Sequence, residues 1–366
     1  SYRIDRVAEV VVDEKGLAGL INLDFVEWVE PKYPVHLDNE AAAEIIGVDW
    51  VGESTNMAPF GGALTGSGVI VGVMDSGLDT AVECFSLSHC NSVNSDIHAD
   101  FVGRIVGVKS YTCNTCTDGP QDPNGHGTHV IGSVLGDGTN SPTGTDNSGM
   151  APGAHLFMQA VLAVGGTCNS SSLCQPSYNA FFTEAYDEGA RVHTNSWGSG
   201  PSTSTNCAQS GSSSGSCLAY YSSASYEIDA EANSLTDLTI LFAMGNDAMD
   251  CTYNSYNQPN CYGGKDGEIN KGAMNRQATA KNILSVGSSE NYRVGLSLYD
   301  IPYSNLCNVG GCPLPYSNER HGTNPIRMDT PTDDPEGMSA FSNRGPTNDG
   351  RIKPDIVAPG GWILST

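Results

Sequence analysis

Six short runs of the sequence are rich in apolar residues, and each is bounded by polar or glycine-containing segments. They lie at 68–75, 104–110, 154–161, 190–196, 238–246 and 282–288. Runs that are apolar on both faces are typical of buried strands in a parallel sheet. Segments with helical patterning lie between them, at 126–136, 176–189 and 219–235. This alternation predicts an α/β fold with a doubly wound, mostly parallel sheet and helices on both faces.

The first 38 residues have a different pattern. A strand-like stretch, "YRIDRVAEVVV", is followed by "LAGLINLDFVEWVEP", which predicts a short helix running into a strand. This small α+β segment lacks the glycine-rich strand ends found later in the chain. We therefore predict two parts, an edge or propeptide-like segment at 1–38 and a main domain at 39–366.

Polar side chains stand at the ends of three apolar runs, namely Asp75, Ser196 and Asn246. In open α/β sheets, ligands bind beside the carboxyl ends of the strands. Each residue also has an ordinary structural interpretation, because aspartate and asparagine are common turn formers. Taken singly they remain ambiguous, and taken together they predict a functional edge of the sheet.

The stretch "NGHGTHVIG" places His126 and His129 three residues apart at the predicted start of a helix. Helical zinc sites usually space two histidines four residues apart with an acidic residue between them, which this stretch lacks. We therefore interpret His126 as a general base and His129 as a packed helical residue. A metallohydrolase that uses both histidines remains the alternative.

The chain has 366 residues and a formal net charge of −24. So acidic a surface argues against nucleic acid or an anionic membrane as a partner. The sequence also has no run of about 18 apolar residues of the kind that crosses a membrane. The acidic surface fits a soluble protein in salty or calcium-rich surroundings, and a merely well-solvated surface is the alternative interpretation.

The twelve cysteines fall into six close couples along the chain. They are Cys84 and Cys90, Cys113 and Cys116, Cys168 and Cys174, Cys207 and Cys217, Cys251 and Cys261, and Cys307 and Cys312. Pairing within each couple would close six polar loops, which predicts disulfides and an oxidising compartment. The second couple could instead supply half of a zinc site.

Five longer stretches resemble the motifs of subtilisin-like serine proteases. "VIVGVMDSGLDT", "NGHGTHVIGSVLG" and "ILFAMGND" resemble the aspartate, histidine and oxyanion-asparagine motifs of that family. "HTNSWGSG" resembles its substrate-binding strand, and "FSNRGPTNDGRIKPDIVAPGGWILST" resembles the segment that precedes its nucleophile. The resemblance covers about residues 40–366, and its wording is nearest to the alkaline, oxidatively stable subgroup.

The resemblance implies a role for each matching residue in a secreted endopeptidase with an acyl-enzyme intermediate. Asp75 would orient His126, and His126 would act as general base and then general acid. Asn246 would donate a hydrogen bond to the tetrahedral oxyanion.

The same resemblance predicts a peptide-binding edge. The backbone of Ser196, Trp197 and Gly198 would pair with an extended substrate, and residues 160–165 would flank it on the other side. Met244 and Gly245 would border the pocket for the side chain that precedes the cut.

The family also implies structural calcium and maturation from a zymogen. The acidic loops at 136–149 and 327–337 carry the oxygen ligands that Ca²⁺ prefers. Residues 1–38 resemble the end of a propeptide that autoprocessing would remove.

The family's nucleophilic serine lies in a Gly-Thr-Ser motif that these 366 residues do not contain. We interpret Ser339 as structural, because it lies two residues before the start of the "FSNRGP" segment, which in the family precedes the nucleophile. We therefore expect the nucleophile beyond Thr366, on an associated fragment produced by nicking. The alternative is a catalytically inert pseudoprotease that binds peptides.

Overall fold

The computed structural model describes the chain in segments. These are residues 15–16, 19, 22–23, 39–58, 61–111, 119–123, 125–141, 146–162, 173–199, 220–248, 250, 252–253, 259–260, 266–292, 301–305 and 321–366. The chain divides into two compact units, 1–35 and 36–366. In the first unit the described residues include helical positions at 15–16 and 19. The interpretation of residues 1–38 as a propeptide stays a prediction.

The second unit contains helices and strands that alternate along the chain, as the hydrophobic pattern predicts. Its described helices are α1 Asn39–Ile45, α2 Val48–Gly52, α3 Leu87–Val93, α4 His126–Leu135, α5 Tyr178–Asp187 and α6 Ser223–Ser234. Its described strands are β1 Ile70–Asp75, β2 Ile105–Ser110, β3 His155–Ala160, β4 Ala190–Asn195, β5 Thr239–Ala243, β6 Thr252–Tyr253, β7 Pro259–Asn260, β8 Leu284–Ser289 and β9 Ile356–Pro359.

Seven of these strands form one sheet in the order β2-β3-β1-β4-β5-β8-β9. Every strand pair in it is parallel, including β1 with β3 and β4 with β5. The order reverses direction at β1, and ligands bind at such a switch point in doubly wound sheets. The predicted fold class is therefore confirmed, and β1, β4 and β5 stand side by side in its middle.

Adjacent residues of β1 point to opposite faces of the sheet. Helices cover both faces, so neighbouring residues of β1 belong to different apolar clusters. Val73 belongs to an apolar cluster with Ile131 and Leu135 of α4. Met74, the next residue, belongs to a second cluster with residues of α5, α6 and β5, among them Phe181, Phe182, Ile228 and Phe242. Burying each large apolar side chain of this kind stabilises the fold by about 2 kcal/mol.

Strand β9, Ile356–Pro359, is absent from the sequence prediction. Its four residues lie in "KPDIVAPG" and end on a proline, and the run is too short to stand out as a strand. It forms because Val286 and Gly287 of β8 pair with Ile356 and Val357. Partner strands of the sheet, rather than local preference, fix this segment.

A disulfide joins Cys84 to Cys90, as the first cysteine couple predicts. Cys174 is disulfide-bonded as well. The other nine cysteines, and with them the zinc alternative at Cys113 and Cys116, lie outside the described residues.

No helix in the described part of the chain combines the length and the apolar character that a membrane crossing requires.

Candidate active site

Asp75 is the last residue of β1, and its side chain is only 3 % exposed. Its Oδ1 lies 2.6 Å from Nδ1 of His126 and accepts a hydrogen bond of 2.7 Å from the backbone N–H of Ser76. No described residue donates to the buried Oδ2. A buried carboxylate is costly unless it is paired, and here the imidazole provides the partner. The structure thus brings together two residues that stand 51 positions apart.

His126 is the first residue of α4, and its side chain is 53 % exposed. Gly125 precedes it with φ +81°, a conformation that side-chain-bearing residues rarely adopt. A Cβ on Gly127 would lie 2.3 Å from the carbonyl oxygen of Gly77. These glycines therefore let the start of the helix turn sharply and lie directly against the backbone that follows Asp75.

The carboxylate of Asp122 ties the aspartate and histidine segments together. Its Oδ1 accepts hydrogen bonds from Oγ of Ser76 and from the N–H of Gly125, at 2.8 and 3.0 Å. Its Oδ2 accepts from both N–H and Oγ1 of Thr128, each at 2.8 Å. Oγ of Ser76 in turn accepts from the N–H of Gly127, at 2.7 Å. Asp122 thereby satisfies donors at the start of α4, where an anion is also favoured by the helix dipole.

Asp122 was not singled out from the sequence. Its signal was present, because an aspartate shortly before a helix start is a preferred capping residue.

The pKa of His126 is raised above its usual value. The main cause is the hydrogen bond to Asp75, which stabilises the imidazolium. Partial burial opposes this effect, and the charges of Asp75 and Asp122 add to it. The pair can therefore hold a proton on the imidazole during a reaction, as a general base must.

Residues Ser196, Trp197 and Gly198 follow the end of β4. Gly198 is exposed, whereas the indole of Trp197 packs edge-on against Phe242 with ring centroids 5.4 Å apart. A Cβ on Gly198 would lie 2.4 Å from Nδ2 of Asn275, so only glycine fits beside that amide. The segment is held from beneath by Trp197 and leaves backbone exposed, as a peptide-binding edge requires. Residues 163–165 of the opposite flank lie outside the described residues.

Met244, Gly245 and Asn246 follow the end of β5, Thr239–Ala243. The side chain of Met244 is 1 % exposed and packs against Met274 and Ala278. It cannot line an open pocket, so the prediction that Met244 borders one holds at most for its backbone. Asn246 is exposed, and Gly245 has φ +102°.

The sheet order places these groups on one edge. Strands β1, β4 and β5 are consecutive and parallel, so their carboxyl ends lie side by side. Neighbouring strands are about 4.8 Å apart, which separates the ends of β1 and β5 by roughly 10 Å. A carboxylate–imidazole pair, an open backbone edge and an exposed amide are thus arranged along a distance that a short peptide spans.

Most of the chain matches a known protein family. The Subtilase family (Peptidase_S8) matches residues 66–366. The chain belongs to the subtilase family.

This subtilase chain spans only a small part of the length of the curated relatives that it matches. The serine protease/ABC transporter B family protein tagB of Dictyostelium discoideum is 29 % identical in an alignment of 341 residues that covers 82 % of this chain and 15 % of that protein. A subtilisin of Bacillus sp. strain TA39 is 38 % identical over 103 residues, 28 % of this chain and 20 % of that protein. The solved structure of the Clostridium perfringens CspB protease shares 17 % identity over 83 % of this chain and 77 % of that one, with a TM-score of 0.42.

Two further residues of the subtilase have the structural surroundings that the sequence suggested. Ser339 is fully buried, and its Oγ lies 2.8 Å from the carbonyl oxygen of Ser289 and 2.9 Å from Oγ of Ser288. His129 is half-buried, and its Nε2 lies 2.9 Å from the carbonyl oxygen of Ile363. Among the described residues, neither His126 nor His129 belongs to a group of side chains that could share a metal ion.

A carboxylate cluster includes the residue that follows β8, the strand beside β5. Oxygens of Glu290, Asp329 and Asp333 all lie within 4.8 Å of one another. The pKa of Glu290 is raised to about 8, mainly by burial and also by the nearby charges of Asp329 and Asp333, against a hydrogen bond from Tyr303. Such crowding of like charges is favourable only when protons or a cation offset it.

Proposed function

We propose that this subtilase is a secreted serine endopeptidase that hydrolyses peptide bonds through an acyl-enzyme. The observation that carries the proposal is the 2.6 Å contact between the buried Asp75 and Nδ1 of His126. A carboxylate at Nδ1 fixes the tautomer in which Nε2 can take a proton from a serine hydroxyl. The match of the family over residues 66–366 supplies the reaction class.

In the proposed reaction, a serine Oγ attacks the peptide carbonyl while His126 takes the hydroxyl proton. Asn246 donates a hydrogen bond to the oxyanion that forms. His126 then returns the proton to the leaving amine, and the C–N bond breaks to give the acyl-enzyme. Water attacks the ester in the same way and releases the acid. Ser196 to Gly198 would hold the substrate backbone as an added strand.

We further propose that the nucleophile lies beyond Thr366, on a fragment that stays associated. Ser339 is unsuited to the role because it is buried and its Oγ is hydrogen-bonded to the end of β8. Edge strand β9 supports a further packing partner, since Ile356 and Val357 are 45 % and 47 % exposed. The subgroup assignment, the zymogen form and the disulfide framework belong to the same proposal and rest on the sequence resemblance.

Fluorophosphonate labelling of the intact protein, read by gel and by mass spectrometry of the labelled peptide, tests the proposal. We expect label on a serine outside residues 1–366, because such probes react only with an activated serine. The His126→Ala variant should take up no label. Label on Ser339 would show that its structural interpretation is wrong, and absence of label from the native protein would favour the peptide-binding pseudoprotease.

We also propose structural calcium at the cluster of Glu290, Asp329 and Asp333. The donor set fits the ion, since Ca²⁺ binds carboxylate oxygens and three of them converge here. Asp329 and Asp333 belong to the loop at 327–337 that the sequence singled out. Part of the other candidate loop, residues 142–145, lies outside the described residues.

Calcium should raise the unfolding temperature, and Asp333→Asn should reduce that rise. A ligand at 100 times its dissociation constant stabilises the folded state by about 2.7 kcal/mol, so we expect a shift of a few degrees. Differential scanning calorimetry with Ca²⁺ or with a chelator measures it. The exposed carboxylate of Asp349 provides the control, because Asp349→Asn should leave the calcium shift unchanged. An undiminished shift in Asp333→Asn, with a diminished one in Asp146→Asn, would place the ion in the loop at 136–149.

A further inference from the structure

The turn that carries Asn246 has its backbone held from three directions. The N–H of Met244 donates to the carbonyl of Val286 on β8, at 2.9 Å. The carbonyl of Met244 accepts from the backbone N–H of Asn275 at 2.8 Å and from Nδ2 of Asn343 at 3.0 Å. A short turn with this many fixed partners has little freedom to change its backbone angles.

The side chain of Asn343 brackets Asn246 on both sides. Its Nδ2 donates to the carbonyl of Met244, two residues before Asn246, and its Oδ1 accepts from the N–H of Asp247, the next residue, at 3.0 Å. Its backbone N–H also donates to the carbonyl of Gly245, at 2.9 Å. An asparagine side chain carries an NH₂ donor group and a carbonyl acceptor on one short planar amide, whereas an ionised aspartate has only acceptors and leucine has neither.

The side chain of Asn343 packs closely against this turn and is shielded from water. Asn343 is fully buried, so each of its polar atoms must find a partner inside the protein. A Cβ on Gly245 would lie 2.5 Å from Nδ2 of Asn343 and 2.9 Å from Oδ1 of Asn275. The two asparagine side chains therefore pack directly against the turn, and glycine at position 245, with φ +102°, is what allows them to do so.

The amide of Asn246, in contrast, stands exposed at the tip of this held backbone. A hydrogen-bond donor to a developing oxyanion is effective when its position is fixed before the reaction begins. We propose that Asn343 is a positioning residue that fixes the backbone on both sides of Asn246 and so aims its amide at the oxyanion. This inference rests on the proposed peptidase function and adds a residue outside the Asp75–His126 pair and Asn246.

The test compares Asn343→Ala with Asn94→Ala in the intact protein. Asn94 is a matched control because it is also buried and also brackets a backbone, donating to the carbonyl of Val82 and accepting from its N–H. Asn94 follows the end of α3. The nearby Cys84 forms a bridge with β2, which lies at one edge of the sheet and is separated from β5 by three strands. Both variants should lose similar stability.

We expect Asn343→Ala to lower kcat for a fluorogenic peptide amide by about 10- to 100-fold with little change in KM, because a displacement of about 1 Å in a catalytic group can cost about 10²-fold. Asn94→Ala should keep kcat close to that of the wild type. If Asn343→Ala does not fold, Asn343→Ser retains a small polar group and should show a smaller fall in the same direction. Equal losses of kcat in the Asn343 and Asn94 variants would overturn the proposal.

Amide hydrogen exchange separates this inference from the proposed activity. The N–H of Asp247 should exchange slowly in the wild type and much faster in Asn343→Ala, while amides in β1 exchange alike in both. An inactive wild-type protein with this exchange pattern would refute the peptidase proposal and leave the bracket intact as a device that orders Asn246. An Asp247 amide that stays protected in Asn343→Ala would refute the bracket itself.

Discussion

Replacing His126 by alanine should reduce peptide hydrolysis by about 10⁶-fold in kcat, with KM close to its wild-type value. In subtilisin, removing the catalytic histidine costs about as much as removing the whole triad, because the groups act as a unit. Asp75 contacts Nδ1 of His126, so its carboxylate orients this imidazole, and no other described side chain, to take the serine proton. Steady-state kinetics with a fluorogenic peptide amide, at enzyme concentrations that exclude traces of wild type, measure the loss.

His129→Ala is the matched control for that variant. The two histidines lie on the same helix, but the ring of His129 contacts the carbonyl of Ile363 instead of a carboxylate. We expect kcat within a few-fold of wild type and a lower unfolding temperature, since a packing and hydrogen-bonding partner is lost. Two results together would favour the metallohydrolase alternative. They are equal losses of kcat in both variants, and a chelator-treated wild type that regains its activity when zinc is added.

Most of the fold could be predicted from the sequence because burial on both faces leaves a strong local signal. Strands such as Ile70–Asp75 and His155–Ala160 are continuous apolar runs, since helices cover the sheet on either side. Strand β9 left no such signal, because its residues remain partly exposed and its pairing with β8 decides its conformation. Long-range pairing of this kind is invisible to a pattern read within a short window.

The candidate site divides in the same way. Asp75, Ser196 and Asn246 could be proposed as site residues because strand ends leave a clear signal in the sequence, and His126 because glycines mark a sharp helix start. Asp122 and Asn343 were missed because their roles are defined by partners far along the chain: Ser76 is 46 residues from Asp122, and Met244 is 99 residues from Asn343. The burial of the Met244 side chain could not be predicted, because its position beside a glycine turn gives no indication of which way that side chain points.

Replacing Asp75 by asparagine should lower kcat by about 10⁴-fold and shift the pH profile to lower pH. The amide is nearly isosteric, so the geometry is kept, but it no longer stabilises the imidazolium and favours the wrong tautomer. The hydrogen bond to Asp75 is the largest cause of the raised pKa of His126, so that pKa should fall in the variant. Because only neutral His126 can accept a proton, activity rises with pH through this pKa, and a lower pKa moves the rising limb towards acid.

The profile of kcat/KM against pH measures the shift in the free enzyme, and NMR titration of the His126 ring reports it without turnover. Asp122→Asn is the informative comparison. Its charge raises the pKa of His126 less than Asp75 does, so the limb should move in the same direction by a smaller amount. The Asp122 variant should also lose stability, because donors of Ser76, Gly125 and Thr128 lose a charged acceptor. A limb that stays in place in Asp75→Asn would mean that the contact with Nδ1 does not control the base, and the assignment of Asp75 as its orienting group would fail.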